Sequence, residues 1–296
     1  MTNLDGASRV GFGVSGPLGQ NWFSEARTRA LIEQALAGGV THFDTGPFYF
    51  DAERQLGDAL NNAGRKDVFV STKTGTRRDG RRLIKDFSER AVRNDVDESR
   101  RRLRKEALDL LYLHGPTVKQ IDETLPVLEA LKREGLIGKL GVCGEGDALA
   151  HAVACGVDAI MGVYNVIDRR HEAVFAEARR DGVMTVAIAP LMQGLVDPNF
   201  HRPSSATDIW RLARAAFRGR YKRRDIEALR RAIAGADPVE AALGFALANS
   251  DIDIVMTTST RQSHLAQSLA IAGKPIGPAL HQALKALSLD PGQGRT

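Results

Sequence analysis

The sequence predicts an α/β protein built as a (β/α)8 TIM barrel, and three observations carry that prediction. Short, nearly all-apolar runs recur, each followed by a helical stretch, and 296 residues hold eight such units. The runs lack polar alternation, as parallel strands covered on both faces should. Most of the helical stretches end at glycine, in "AGG", "NAG", "REG", "ACG" and "RDG", which suits a C-terminal cap.

The units follow in order. "SRVGFG" precedes "SEARTRALIEQALAGG", "VTHF" precedes "DAERQLGDALNNAG", and "DVFVST" precedes "FSERAVRNDVDESRRRLRKE". "LDLLYL" leads to "IDETLPVLEALKREG", "IGKLGV" to "ALAHAVACG", and "VDAIMGV" to "RRHEAVFAEARRDG". "VMTVAIA" and "DIDIVM" complete the set, each with a helix after it. No composition shift marks a boundary, so residues 1–296 read as a single domain. One long basic insertion, about 195–235, follows the seventh strand and is expected to be partly helical and to shape substrate access. "GFGVSG" spells G-x-G-x-x-G through Gly11, Gly13 and Gly16, which raises a doubly wound nucleotide-binding sheet as the rival fold. That mechanism needs the third glycine at a helix N-terminus. Here Pro17 and Gly19 intervene and the helical pattern starts near Ser24, so the glycines read as a loop leaving the first strand.

Hydrophobic content of 43% and charged content of 26% are ordinary for a soluble globular protein. No apolar run approaches the ~18–20 residues that cross a bilayer. "MTNLDGASRV" lacks a signal-peptide pattern, and two cysteines are too few for a disulfide framework, so a cytoplasmic protein is expected. The net charge is +5, with basic residues concentrated in "GTRRDGRRLIK" and "RLARAAFRGRYKRR". Without a nucleic-acid motif these read as solvated helix faces, or as arginines that meet a small phosphate-bearing molecule. No nucleic-acid or membrane partner is expected, a monomer is compatible with the sequence, and dispersed acids without a ligand pattern predict no metal.

In a barrel of this kind the active site lies where the strands end. Asp44 ends the second strand and Tyr49 lies in the loop after it. Lys73 ends the third strand and His114 the fourth. Free tyrosine titrates near ~10 and lysine near ~10.4, so neither is an efficient proton donor or acceptor at neutral pH alone. An ammonium ~4 Å from a phenol would favour the phenolate by on the order of 4 kcal/mol at an effective dielectric of ~20. Asp44 would keep Lys73 charged, and a neutral His114 would donate to a substrate oxygen. That constellation suits carbonyl reduction. His171 and Glu172 open a helix and are expected to face solvent. Cys143 is expected to be a small buried or pocket residue.

The chain resembles the aldo-keto reductases over nearly its whole length. "FDTGPFYFDAERQLGDAL" is similar to the family's strand-two signature, "VFVSTK" supplies the lysine and "LDLLYLHGP" the histidine. The resemblance implies hydride transfer from NAD(P)H to an aldehyde or ketone, with Tyr49 as proton donor and Asp44, Lys73 and His114 in support. It also implies that Gly13, the segment "GVYNVIDRR", and Leu191, Gln193 and Gly194 of "IAPLMQGL" border the cofactor. Cys143, Gly144, Met161 and Ile188 stand where the family commonly has nicotinamide-binding polar or aromatic residues. Ser259, Arg261 and Gln267 fall in the phosphate and adenine segment, and Arg261 favours NADP over NAD through a 2′-phosphate. Gly46 replaces the usual alanine or serine, and Phe50 a common glycine.

Two other functions fit the same residues. A strand-end lysine permits a Schiff-base lyase or aldolase at Lys73. The altered nicotinamide positions permit a non-catalytic barrel that senses a nucleotide.

Overall fold

In the computed structural model, which describes residues 8–80, 82–195, 205–218 and 221–287, all eight predicted apolar runs are strands. The chain starts with β1 (Val10–Gly13), α1 (Glu25–Ala37), β2 (His42–Asp44), α2 (Ala52–Asn62) and β3 (Phe69–Thr74). A small hairpin, β4 (Thr76–Asp79) and β5 (Arg82–Lys85), then precedes α3 (Glu89–Leu103), β6 (Leu108–His114) and α4 (Val118–Arg133). Next come β7 (Ile137–Cys143), α5 (Asp147–Ala154), β8 (Ala159–Val163), α6 (Glu172–Arg180) and β9 (Met184–Ile188). The last elements are α7 (Ala206–Arg218), α8 (Arg223–Ala232), α9 (Pro238–Leu247), β10 (Ile254–Thr257), α10 (Gln262–Ile271) and α11 (Pro278–Ala286).

The eight long-range strands close in the order β1-β10-β9-β8-β7-β6-β3-β2, all parallel. Closure joins the two ends of the chain: Val10 pairs with Val255 on one side of β1, and Phe12 with Phe43 on the other. The barrel excludes the doubly wound alternative. The 3-10 turn Gly16–Gly19, rather than a helix N-terminus, follows the glycine motif.

Alternation along each strand sorts side chains between two cores. Leu110, Tyr112, Met161, Met184, Val186, Ile254 and Met256 fill the inside of the barrel. Phe43, Val70, Leu111, Val142, Ile160 and Val255 face the helices in the larger outer core. The helices are stopped and started by local chemistry. Thr117 and Gln120 form a reciprocal capping box on α4, and the Asp237 carboxylate accepts from the N–H groups of Val239 and Glu240 on α9. Gly135 after α4 adopts φ +73°, a left-handed conformation that opens the turn into β7 at no side-chain cost.

The stretch "GTRRDGRRLIK" does not form the expected helix face. It is the β4–β5 hairpin, with Asp79 opposite Arg82 and Gly80 at φ +57° in the turn. Glycine at the first loop position after the last strand pair, taking a positive φ, is a residue signature of such a turn. Two helices, α7 and α8, occupy the basic insertion, although residues 196–204 and 219–220 of it lie outside those described. Among the described residues no helix is long and apolar enough to cross a membrane.

Candidate active site

Strand periodicity puts the candidate residues at one level of the barrel. Asp44 lies two residues beyond His42, Lys73 two beyond Ser71, and His114 two beyond Tyr112. Each is thus the last inward-facing residue of its strand, and the strands are neighbours in the order β2-β3-β6.

At the centre, the Lys73 ammonium donates to Asp44 Oδ2 at 2.5 Å and to the Thr45 carbonyl at 2.7 Å. Ser71 Oγ donates to Asp44 Oδ1 at 2.8 Å. Ser71 has one proton and gives it to Asp44, so His42 Nε2, 3.1 Å from Ser71 Oγ, is the donor in that contact. The result is a line of donors, His42 to Ser71 to Asp44, with Lys73 on the far carboxylate oxygen. Burial alone would lower the Lys73 pKa. The Asp44 carboxylate and the Tyr49 phenol outweigh it, and the ammonium is held above its ordinary value. Burial and the Lys73 charge push His42 down to about 3, so its imidazole is neutral.

Tyr49 closes a 3-10 turn, Pro47–Tyr49, directly after β2. Lys73 Nζ lies 5.6 Å from the centroid of its ring. The His114 ring lies 6.3 Å from Tyr49 and 5.6 Å from Phe48, edge-on to the latter. The four residues of the expected constellation therefore converge above β2, β3 and β6. Gly46 helps: a Cβ there would sit 3.3 Å from Lys73 Cβ, so its loop lies directly on the lysine stem.

The hairpin forms one wall of the mouth. Thr76 Oγ1 donates to the His114 carbonyl at 2.6 Å, tying β4 to the end of β6. Arg78 stacks over Phe48 at 4.5 Å and over Phe50 at 5.6 Å. Phe50 has φ +57° and ψ −112°, a conformation glycine takes freely and other residues hold at a cost of about 1–3 kcal/mol. Arg78 above its ring and Arg102, which donates to its carbonyl, fasten it there.

The residues expected around a cofactor spread over the other half of the mouth. Gly13 ends β1, and its carbonyl accepts from Thr258 Oγ1 at 3.0 Å; a Cβ at Gly13 would meet that oxygen at 2.7 Å. Cys143 ends β7 beside Met161 of β8, and both are buried. Burial pushes the Cys143 thiol up to about 12, against the opposing pull of Lys73, so it is a neutral wall rather than a nucleophile. Ile188 ends β9. Leu191 caps the start of the turn Met192–Gly194 and Gly194 closes it; the Gln193 side chain lies outside the described residues. Ser259 and Arg261 lie between β10 and α10. The N-cap of α10 is Arg261 itself, which supplies no side-chain cap to the helix. The Arg261 guanidinium is paired with Asp208 of α7 at 2.5 Å. Gln267 is turned to Asp237, donating to its carboxylate at 2.7 Å.

Two findings lie outside the expectations. His171 does not face solvent: it is 2% exposed, its Nδ1 is 3.1 Å from the Val163 carbonyl, and its Nε2 accepts from Gly146 N–H. Glu172 is half-buried and accepts from the Tyr164 hydroxyl at 3.1 Å. These side chains brace the ends of β7 and β8 from behind. Asn165, not singled out from the sequence, is fully buried and donates to the Ala189 carbonyl and to the Tyr221 hydroxyl. It thereby binds the loop after β9 to the start of α8. Its position just beyond a strand end was the available signal.

The sequence pattern of the aldo/keto reductase family matches residues 9–288. The chain is 30% identical over 284 residues to an L-galactose dehydrogenase of Arabidopsis thaliana, covering 89% of this chain and 83% of that protein. It is also 30% identical over 233 residues to an NADH-specific methylglyoxal reductase of Escherichia coli (strain K12), covering 69% and 71%. Among solved structures, the holo form of an aldo-keto reductase from Bacillus halodurans matches with a TM-score of 0.77 at 26% identity, covering 94% of this chain and 91% of that one. With the closed parallel barrel, these matches establish that the chain belongs to the aldo/keto reductase family of nicotinamide-dependent oxidoreductases.

Proposed function

We propose that the chain reduces an aldehyde or ketone at the barrel mouth, or oxidises the matching alcohol or sugar, with Tyr49 as the proton donor. One observation carries this reading: Lys73, kept charged by Asp44, lies 5.6 Å from the Tyr49 ring. A cation at ~5 Å stabilises a phenolate by about 3 kcal/mol at an effective dielectric of ~20. Tyr49 then releases its proton to a substrate oxygen more readily than a free phenol. Asp44 fixes the lysine, and His114 orients the carbonyl oxygen next to Tyr49. Phe48 and the hairpin border the site beside His114. Relatives named for L-galactose and methylglyoxal support a small carbonyl or sugar substrate.

The phosphate-binding chemistry of this end of the barrel fits a dinucleotide. An arginine stands at a helix N-terminus that has no side-chain cap, a combination that favours an anion. Ser259 and Arg261 would hold the phosphates, and Gly13, Cys143, Met161, Ile188 and Leu191 would border the nicotinamide end, with Gln193 and Gly194 in the adjoining turn and Gln267 toward the adenine. When bound, NAD(P)H supplies the hydride. We assign NADP in preference to NAD because Arg261 offers a fork for a 2′-phosphate. Two unpaired cysteines support a reducing, cytoplasmic setting.

The Schiff-base alternative is disfavoured by the same pair that supports reduction. A lysine held as an ammonium by a buried carboxylate is a poor nucleophile. The decisive experiment is Tyr49→Phe, assayed with NADPH and NADH over a panel of aldehydes, ketones and sugar alcohols. Turnover should fall by about 10²–10⁴ while cofactor binding, followed by protein fluorescence, is retained. Unchanged turnover removes Tyr49 from the chemistry. Tight cofactor binding by the parent chain without turnover on any substrate would instead favour a sensor.

A further inference from the structure

We propose that Asp122, His151 and Cys155 form a binding site for one zinc-like divalent cation on the outer helical layer. His151 and Cys155 stand one turn apart on the same side of α5 and its C-cap, and Asp122 reaches them from α4. His151 Nε2 is 2.6 Å from Asp122 Oδ1 and 3.4 Å from Cys155 Sγ, and all three donor atoms lie within 4.8 Å of one another. The site is separate from the barrel mouth.

The geometry argues for a cation and against a nucleophilic relay. In a relay the carboxylate and the thiol sit on opposite nitrogens of the imidazole. Here both converge on the same nitrogen. If Nε2 carries a proton, it meets the carboxylate well and has no lone pair for the thiol. If it carries none, its lone pair faces a carboxylate oxygen. In either tautomer one of the two contacts is weak or repulsive, since a thiol sulfur is only a weak acceptor and a bare nitrogen repels the carboxylate oxygen. A cation satisfies all three atoms together, because imidazole, thiolate and carboxylate each direct a lone pair at it. Donor atoms about 2.0–2.3 Å from a tetrahedral zinc lie ~3.3–3.7 Å apart, so the sulfur–nitrogen spacing is already suitable and the oxygen must retreat by under about 1 Å. Asp122 is free to do so, since its side chain is 55% exposed, and that same exposure gives the ion an entry path. Three protein ligands leave a fourth position to water. The nitrogen–sulfur share of the set selects zinc or cobalt over magnesium.

From the sequence no metal was expected. The His-x3-Cys spacing was visible, but its third member is on the preceding helix, 29 positions before His151.

The test uses the untagged, reduced full chain after dialysis against a chelator. Titration with Zn²⁺ should show one equivalent bound, Mg²⁺ should not compete, and Co²⁺ should give a thiolate charge-transfer absorption. His151→Gln and Cys155→Ser should each abolish the cobalt band and weaken zinc binding by more than the roughly 10–100-fold that loss of an outer-shell partner costs. Zinc should raise the melting temperature of the parent chain and not of either variant. Circular dichroism and carbonyl reduction should be unchanged in His151→Gln, which shows that the variant is folded. Absence of zinc uptake by the parent chain overturns the proposal, as does uptake that either substitution leaves undiminished.

Discussion

Asp44 and Lys73 form an ion pair with side chains 9% and 2% exposed, inside a barrel whose other inner residues are largely apolar. Such a pair is more costly to break than to build. Asp44→Ala leaves the buried ammonium on the Thr45 carbonyl without its counter-charge. The expected outcome is a loss of about 3–5 kcal/mol in urea unfolding, with carbonyl reduction lost in the fraction that remains folded. A variant of parental stability would mean that Lys73 discharges without consequence.

The His42–Ser71–Asp44 line predicts a pH dependence. The folded pKa of His42, about 3, lies below the free value of about 6.5, so the unfolded chain takes up a proton that the folded chain refuses. Its contribution to stability is fully present above about pH 6.5 and is lost as the pH falls toward 3. The slope from this one group approaches roughly 1.4 kcal/mol per pH unit inside that window. Urea midpoints for the parent and His42→Gln at several pH values between 7 and 4 should converge as the pH drops. Parallel curves would show that His42 is not the group responsible.

If Arg261 holds the cofactor as proposed, Asp208 is its competitor for that guanidinium. The Arg261 fork is paired with the Asp208 carboxylate, and Arg211 donates to the other Asp208 oxygen. A 2′-phosphate that uses Arg261 meets this carboxylate as a like charge on the same guanidinium. Asp208→Asn should therefore tighten NADPH relative to NADH by about tenfold, near the low end for a charge-assisted hydrogen bond. Arg261→Ala should erase the preference. Fluorescence titration with both cofactors reads each effect, and an unaltered ratio in both variants would remove Arg261 from cofactor discrimination.

Thr76 offers a test of the hairpin. Its hydroxyl is bonded to the His114 carbonyl, so Thr76→Val unfastens the wall beside Phe48 without touching the ion pair. Stability should fall by about 0.5–1.5 kcal/mol. KM for the carbonyl should rise while cofactor affinity holds. Equal changes in both would indicate that the hairpin also supports the cofactor side.

The barrel was legible because its strands are buried on both faces and so stand out as apolar runs between glycine-capped helices. Asp44, Lys73 and His114 were legible for a related reason: each is a polar residue at the very end of such a run. The hairpin was not, because both of its strands are largely solvent-exposed and carry arginines where a pattern would need apolar residues. Only Gly80, the first residue of the turn, betrayed it. His171 was misjudged because its partners are backbone groups, Val163 C=O and Gly146 N–H, which carry no side-chain signature. The Arg261–Asp208 pair spans 53 positions, so it could not be read locally.

Barrel closure has a consequence for the order in which the two halves of the mouth mature during synthesis. Asp44, Tyr49, Lys73 and His114 all belong to the first portion of the chain to emerge. Gly13 waits for Thr258, and β1 for β10, across nearly the whole polypeptide. Contacts so distant in sequence carry the largest loop-closure cost and form late. The half of the mouth that carries Asp44, Tyr49, Lys73 and His114 can therefore assemble on a nascent chain while the half at Gly13 and Thr258 is still split, and on the proposed function turnover waits until the last strand docks.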